Sequence, residues 1–391
     1  MNIFLSCGLI FLLGLGSSKL LGRLKFPAVT SYLLLGISIG PFGLKLIPEN
    51  LVEATDFVGF FVLGIVAFTL GQNFLWREFR HIRGAVISIS CLEVAGAAIF
   101  VTGGLLLINR PLSEAIIFGG IATATAPMAT LMVIREYRAR GSLTKMLMDI
   151  VAVDDAWGMI VFAVVVAAAK ILMFHGTGSI LNSALIGAGR EILGAIAIGI
   201  ISGILLSFLS KYSKTQMESL IFTLGFILVI TGVSLKFAFS PLLSNMALGI
   251  TVINITKRHL LFDVLRRVDW PFYLLFFVLC GASLQIPMLK SLTLVGIVYI
   301  AARTIGKYGG AYMGAKITHR PEKIKKYLGL GLIPQAGVAL GLAIMAKAEF
   351  PTLGGLIFTT IVATTIFAEI IGPFCTKIAI TRAGEAKGGT S

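Results

Sequence analysis

The sequence predicts an all-α polytopic membrane protein with about thirteen transmembrane helices. Apolar runs of about twenty residues recur from end to end, and each is long enough to cross about 30 Å of hydrocarbon. Of the 391 residues, 57% are hydrophobic and only 13% charged. Soluble domains carry charge on about a quarter of their residues. The runs are continuous rather than alternating, which argues against a β-barrel.

The spans follow in order. The first, at about 2–21, has no basic stretch before it and no evident cleavage site, so it reads as a retained span rather than a signal peptide. Three more apolar runs lie at about 28–46, 52–75 and 82–108. The fifth, about 114–135, contains "GGIATATAPMATLMV" with Pro127 near its middle. The sixth, about 143–173, contains "VAVDDAWG". Runs at about 188–209, 216–236, 240–256 and 268–287 come next. The eleventh, about 290–315, ends in "AARTIGKYGGAYMGAK". The twelfth, about 322–348, holds "GLGLIPQAGVALGLA" with Pro334 near its middle, and the last covers about 352–378. The connections are short, and only thirteen residues follow position 378. No soluble regulatory domain is expected within this chain; a large one would be a separate protein.

The basic residues test this count. With the N-terminus outside, cytoplasmic segments such as "REFRHIR", "REYRARGSLTK" and "KITHRPEKIKK" hold 24 of the 33 Lys and Arg, and outer segments hold 7. The remaining two, Arg303 and Lys307, lie inside the eleventh span. This bias supports an outside N-terminus and a cytoplasmic C-terminus. It also accounts for the net charge of +15 without invoking nucleic acid. Cys7, Cys91, Cys280 and Cys375 lie scattered in apolar segments without metal or disulfide spacing.

Thirteen spans divide as six, one and six. A single linker helix between equal halves inverts the second half, giving the inverted repeats of many secondary transporters. Pro127 and Pro334 occupy the fifth span of each half. Proline in a helix interior removes a hydrogen bond and clashes with the preceding turn. Discontinuous helices at matching positions point to a midplane binding site. Ordinary kinks are the plainer alternative.

The ionisable residues at membrane depth are Glu93, Asp149, Asp154, Asp155, Arg303, Lys307 and Glu369. Each acid costs about 3 kcal/mol to insert, so a functional role and a partner are expected. Asp154 and Asp155 point about 100° apart on a helix, so one can face a cavity while the other faces a neighbouring helix. A carboxylate can hold a proton or a small cation, but not both well, and that competition alone couples two fluxes. Arg303 and Lys307, four residues apart, share a face. A lysine facing one aspartate can release its proton or its partner when a cation arrives, whereas arginine suits a permanent counter-ion for Asp149, Glu93 or Glu369. A purely structural balance of two acids and two bases is the alternative. The hydroxyls of Thr123, Thr125 and Thr130 are candidate neutral ligands at the break of the fifth span, or bond back to their own helix. Gln335 is the comparable group of the twelfth.

These motifs resemble the cation/proton antiporter superfamily, nearest to its NapA-type sodium/proton antiporters and Kef-related branch. The resemblance runs through "FPAVTSYLLLGISIGPFGL", "ATATAPMAT", "VDDAWG", "FFVLCGASLQI", "RTIGKYGGAYMGAK" and "GLIPQAGVALGLA". It implies a homodimer, with spans at about 2–75 and 216–287 forming a dimerisation scaffold. Spans at about 82–173 and 290–378 would form a mobile ion-carrying core, with about 188–209 as linker. It implies elevator-like alternating access, two crossed discontinuous helices (spans 5 and 12), and electrogenic exchange. Asp155 matches the carrier of cation and proton, Asp154 the partner of Lys307, and Thr125 and Thr130 polar positions of the broken helix. The sequence departs from the family at Pro127, and Arg303 resembles the arginine of the electroneutral branch. The implied substrates are Na+ or Li+, or K+, against H+; no cofactor and no enzyme activity are implied, and the location is a plasma or prokaryotic inner membrane. Potassium efflux and sodium-coupled organic anion transport are alternatives, though buried acids disfavour anions. An intramembrane aspartyl protease needs two carboxyls facing each other, which neighbours on one helix do not easily provide.

Overall fold

The computed structural model describes residues 2–23, 27–75, 84–173, 178–257, 259–284 and 286–386. The side chains of residues 73, 127–128, 152, 155–156, 178–188 and 286–293 lie outside it. The Asp155 carboxylate and the Pro127 ring are therefore outside the described residues, as are His81 and His175.

Among the described residues the chain is helical and without strands. In order the helices are α1 (Ile3–Gly22), α2 (Ala28–Ile39), α3 (Glu49–Glu53), α4 (Thr55–Gly71), α5 (Gly84–Leu107), α6 (Leu112–Ala122), α7 (Pro127–Glu136), α8 (Ser142–Met173), α9 (Gly178–Leu209) and α10 (Gln216–Lys236). They continue as α11 (Pro241–Thr256), α12 (Leu260–Arg266), α13 (Asp269–Ala282), α14 (Ile286–Ile317), α15 (Glu322–Tyr327), α16 (Gly337–Glu349) and α17 (Gly354–Arg382). Six of the described helices are long and apolar enough to cross a membrane, and the bent pair Glu322–Leu332 and Gly337–Glu349 adds a broken one.

Local chemistry sets the boundaries. The Asn2 side chain accepts from Phe4 N–H, Thr215 from Glu218 N–H and Ser240 from Leu243 N–H, which satisfies donors that a helix start leaves open. The second expected span, to residue 46, stops being helical at Ile39. Gly40 and Pro41 follow, and proline disfavours helix in the residue before it. The expected linker at 188–209 is longer, beginning at Gly178.

The chain divides into two compact units. One comprises Asp56–Ile82 and Ala163–Phe276. Its core joins Ile65 and Phe68 of α4 to Leu206, Ile227, Leu248, Val252 and Phe262, with Phe68 stacked on Phe262 at 4.6 Å.

The other unit comprises Met1–Thr55, Arg83–Phe162 and Phe277–Ser391. Within it α5 and α14 pack along a glycine seam. A Cβ on Gly96 would meet the Gly306 carbonyl, and one on Gly310 would meet the backbone of Leu92 and Glu93. Small residues let two helices approach backbone to backbone. Two chain breaks also meet here. The helical run of the fifth expected span is interrupted between Ala122 and Pro127, and that of the twelfth between Leu332 and Gly337, with a bend of 50° at the second. Ala126 N–H donates to Pro334 O at 2.9 Å, and Thr130 Oγ1 to Gly331 O at 2.9 Å. Ala126, Ala129 and Ala336 pack together at this junction.

Candidate functional site

The glycine seam places Lys307, which lies between Gly306 and Gly310, against Glu93 of α5. Lys307 Nζ contacts Glu93 Oε2 at 2.8 Å and Asp154 Oδ2 of α8 at 3.0 Å, and all three side chains are sealed from solvent. It also donates to Thr123 O and Thr125 Oγ1, both at 2.7 Å. An ammonium has three N–H groups, so four acceptors saturate it. Thr125 in turn donates its hydroxyl to Asp154 Oδ2. Removing one partner of such a buried pair costs about 3–5 kcal/mol, because the other charge is left alone.

The cluster is unbalanced: two carboxyls face one ammonium. Glu93 Oε1 and Asp154 Oδ1 are buried and receive no donor. A net charge in the interior is expensive. A proton on one carboxyl balances Lys307 against the other, and the fixed charge of Arg303 also acts on both.

Arg303 does something other than the expected pairing with an acid. Its guanidinium donates to four backbone carbonyls: Ala122 O at 3.0 Å, Ala124 O at 2.8 Å, Ile333 O at 2.6 Å and Pro334 O at 3.4 Å. Its positive charge still acts on Glu93 and Asp154 at longer range, while its hydrogen bonds go to the backbone. The physical reason is that both breaks release carbonyls that a helix would have satisfied, and helix C-terminal ends favour a cation. A five-donor planar fork serves several at once. Gln335 completes the junction, donating to Ile121 O at 3.2 Å and to the Tyr299 hydroxyl at 2.8 Å.

The other candidate residues separate. Thr123 donates back to Gly120 O at 2.7 Å and Thr130 to Gly331 O at 2.9 Å, which leaves the lone pairs of both hydroxyls available. Asp149 sits on an exposed part of α8, five residues before Asp154 and thus about 140° round the helix. Glu369 of α17 is buried, and its Oε1 has no hydrogen-bond partner. Asp155 follows Asp154 on α8, with its carboxylate outside the described residues.

Sequence reasoning treated Glu93 as a secondary acid. Its pairing had a signal: Gly96 lies three residues after it, and glycines flank Lys307. Small residues on both helices mark a seam that brings whatever lies beside them together. Tyr299 as partner of Gln335 had no comparable signal.

Similarity to known proteins follows the same outline. The profile of the family described as sodium/hydrogen exchanger, transmembrane, matches residues 8–381. An ammonium/H(+) antiporter subunit, AmhT, of Alkalihalophilus pseudofirmus is 24% identical over 383 residues, covering 96% of this chain and 93% of that protein. A probable Na(+)/H(+) antiporter 3 of Methanocaldococcus jannaschii is 25% identical over 373 residues, covering 92% of each. Among solved structures, the sodium proton antiporter MjNhaP1 of M. jannaschii, at pH 8, superposes with a TM-score of 0.77 at 18% identity, covering 100% of both chains.

Proposed function

The chain belongs to the transmembrane sodium/hydrogen exchanger family, within the cation/proton antiporter superfamily, and on that premise we propose that it exchanges Na+ or Li+ for protons across a bilayer. The observation that carries this reading is the buried Glu93–Asp154–Lys307 cluster beside the meeting of two chain breaks. Cation and proton compete for Asp155. The neighbouring Asp154–Lys307 pair opens when a cation arrives and closes when it leaves, with Thr125 bridging the two. Arg303 keeps the broken segments together through both states, because its partners are carbonyls that do not titrate.

In this reading exchange is electrogenic, and access alternates by an elevator-like movement of the ion-carrying spans in a homodimer. About thirteen crossings form two inverted six-helix repeats joined by a linker. The scaffold is drawn from about 2–75 and 216–287, and the moving part from about 82–173 and 290–378. The protein resides in a plasma or prokaryotic inner membrane with its C-terminus cytoplasmic. Buried acids at the site suit cations and repel anionic substrates.

Reconstituted protein tests this directly. Sodium added outside proteoliposomes is expected to drive proton release, and Asp155→Asn to lower the rate by at least about tenfold while the protein stays folded. Unchanged exchange in that variant would remove the central claim. Similarity to an ammonium/proton antiporter subunit, at nearly the same identity as to the sodium relative, favours one second reading, in which the cation is larger, K+ or NH4+. A panel of Na+, Li+, K+ and NH4+ under clamped potential decides between them.

A further inference from the structure

We propose that Glu385, just beyond the last helix, is a positioning residue for α8, the helix that carries Asp154 and Asp155. The start of α8 has a gap where a capping side chain belongs. Lys145 N–H donates to Gly141 O, which makes Gly141 the cap residue, and glycine has no side chain to offer. The first N–H groups of a helix have no partners inside it. Glu385 supplies them from the far end of the chain. Its Oε1 accepts from Leu143 N–H at 2.9 Å, and its Oε2 from Thr144 N–H at 2.8 Å and the Thr144 hydroxyl at 2.9 Å. Ser142 Oγ approaches Oε1 at 3.5 Å. The backbone joins in: Arg140 N–H donates to Glu385 O, and Glu385 N–H to Ile380 O, both at 3.0 Å.

Glycine at 141 leaves the room that the carboxyl occupies. A Cβ there would occupy the space of the Glu385 carboxyl. The side chain is 3% exposed although it lies outside the helices. Its Oε1 also meets Lys323 Nζ of α15 at 3.0 Å. One carboxylate therefore ties together the start of α8, the segment that leads to the break at Pro334, and the end of α17. All belong to the same compact unit. From Thr144 to Asp154 is about 15 Å along a continuous helix. A shift or fraying of the first turn is carried to the acid as a change of height or rotation.

The charge state follows from the surroundings. Burial opposes ionisation of Glu385, but the N–H groups of Thr144 and Leu143, Lys323 and the Thr144 hydroxyl outweigh it and hold the carboxyl below the usual range. The positive end of the α8 dipole acts in the same direction. Of the charged groups on the packed elements, Lys323 pairs with it directly, while Arg140, Lys145 and Arg382 are exposed, and Glu322 is turned to solvent. A depressed carboxyl contributes its stabilisation above the ordinary carboxylate range and loses it only as pH falls through the lowered value. The tie is thus constant near neutral pH and loosens only in acid.

Two measurements test it, one independent of what is transported. In Glu385→Gln, hydrogen exchange of the Leu143 and Thr144 amides is expected to accelerate at least tenfold at neutral pH. Because this readout needs no transport, it stands even if the proposed exchange fails. The second concerns the cation site and rests on the proposed function. The apparent KM for sodium in proteoliposomes is expected to rise several-fold in Glu385→Gln. Gly141→Ala, which keeps the carboxylate but displaces it from the start of α8, is expected to do the same. Glu385→Asp should recover part of the loss. A merely structural role would lower Vmax with the folded fraction and leave KM unchanged. Unchanged amide exchange, or faster amide exchange with KM unaltered, overturns the proposal. If Glu385→Gln fails to fold, Gly141→Ala decides by the same two readouts.

Discussion

Glu93 changes how the protons are counted. A lone Asp154–Lys307 pair is neutral when both are charged and has no need of a further proton. With Glu93 Oε2 on the same ammonium at 2.8 Å, two carboxyls share one ammonium, and Glu93 is expected to carry a proton of its own. In the proposed exchange that proton is distinct from the one at Asp155, and its release alongside the other makes transport sensitive to voltage. Glu93→Gln leaves a neutral Asp154–Lys307 pair with no proton to give. Exchange is expected to persist with one proton fewer per cation. Its rate should then no longer respond to a potassium diffusion potential imposed with valinomycin. A potential dependence equal to that of the native protein would take Glu93 out of the proton count. The pairing of two ions is what the sequence conceals best at this scale. Glu93 and Lys307 are 214 positions apart, and Gly96 in "CLEVAGA" marks a seam without saying which helix it faces. Arg303 is concealed for a different reason: its partners are carbonyls, which every residue has, so no side chain announces them.

At the scale of elements, the apolar runs and the two prolines were legible, because hydropathy and the loss of an N–H are properties of local sequence. The breaks fall at Thr123–Ala126 and Ile333–Ala336, next to the prolines that suggested them. What was not legible is which helices touch, since that depends on surfaces formed by residues four apart on separate segments. The α5–α14 seam shows the point. Gly309 and Gly310 are neighbours, yet a Cβ at 309 meets nothing within 4 Å, while one at 310 runs into the backbone of Leu92 and Glu93. Backbone cannot swing aside as a flexible side chain can. Gly310→Val is therefore expected to push the helices apart and to destabilise by about 1–3 kcal/mol, the range for overpacking a filled contact. It should also weaken the hold of Glu93 on Lys307. Gly309→Val is expected to change little. Thermal unfolding of the two variants in the same detergent measures the difference. Equal midpoints would mean that the seam yields.

For the whole molecule, the distribution of charge carries information that its sum does not. A net charge of +15 attracts any polyanion, but 24 of the 33 basic residues lie in alternate connections, on one expected side. Short loops rich in Lys and Arg remain on the cytoplasmic side when a membrane protein is inserted. The helix α10 offers a direct test, because Lys214 precedes it, Lys236 ends it, and both are exposed. Its 21 residues span about 30 Å, the thickness of the hydrocarbon layer. Single cysteines at these two positions, in a protein with Cys7, Cys91, Cys280 and Cys375 replaced, should label from opposite sides. A membrane-impermeant maleimide is expected to reach Lys236→Cys in intact cells, and Lys214→Cys only after permeabilisation. Arg140, Gly141 and Lys323 lie in connections that the same charge rule expects on the cytoplasmic side, and a single cysteine at Arg140 or Lys323 tests that separately. The reverse labelling pattern at α10 would turn the expected orientation over, and labelling at Arg140 or Lys323 in intact cells would put the tie outside.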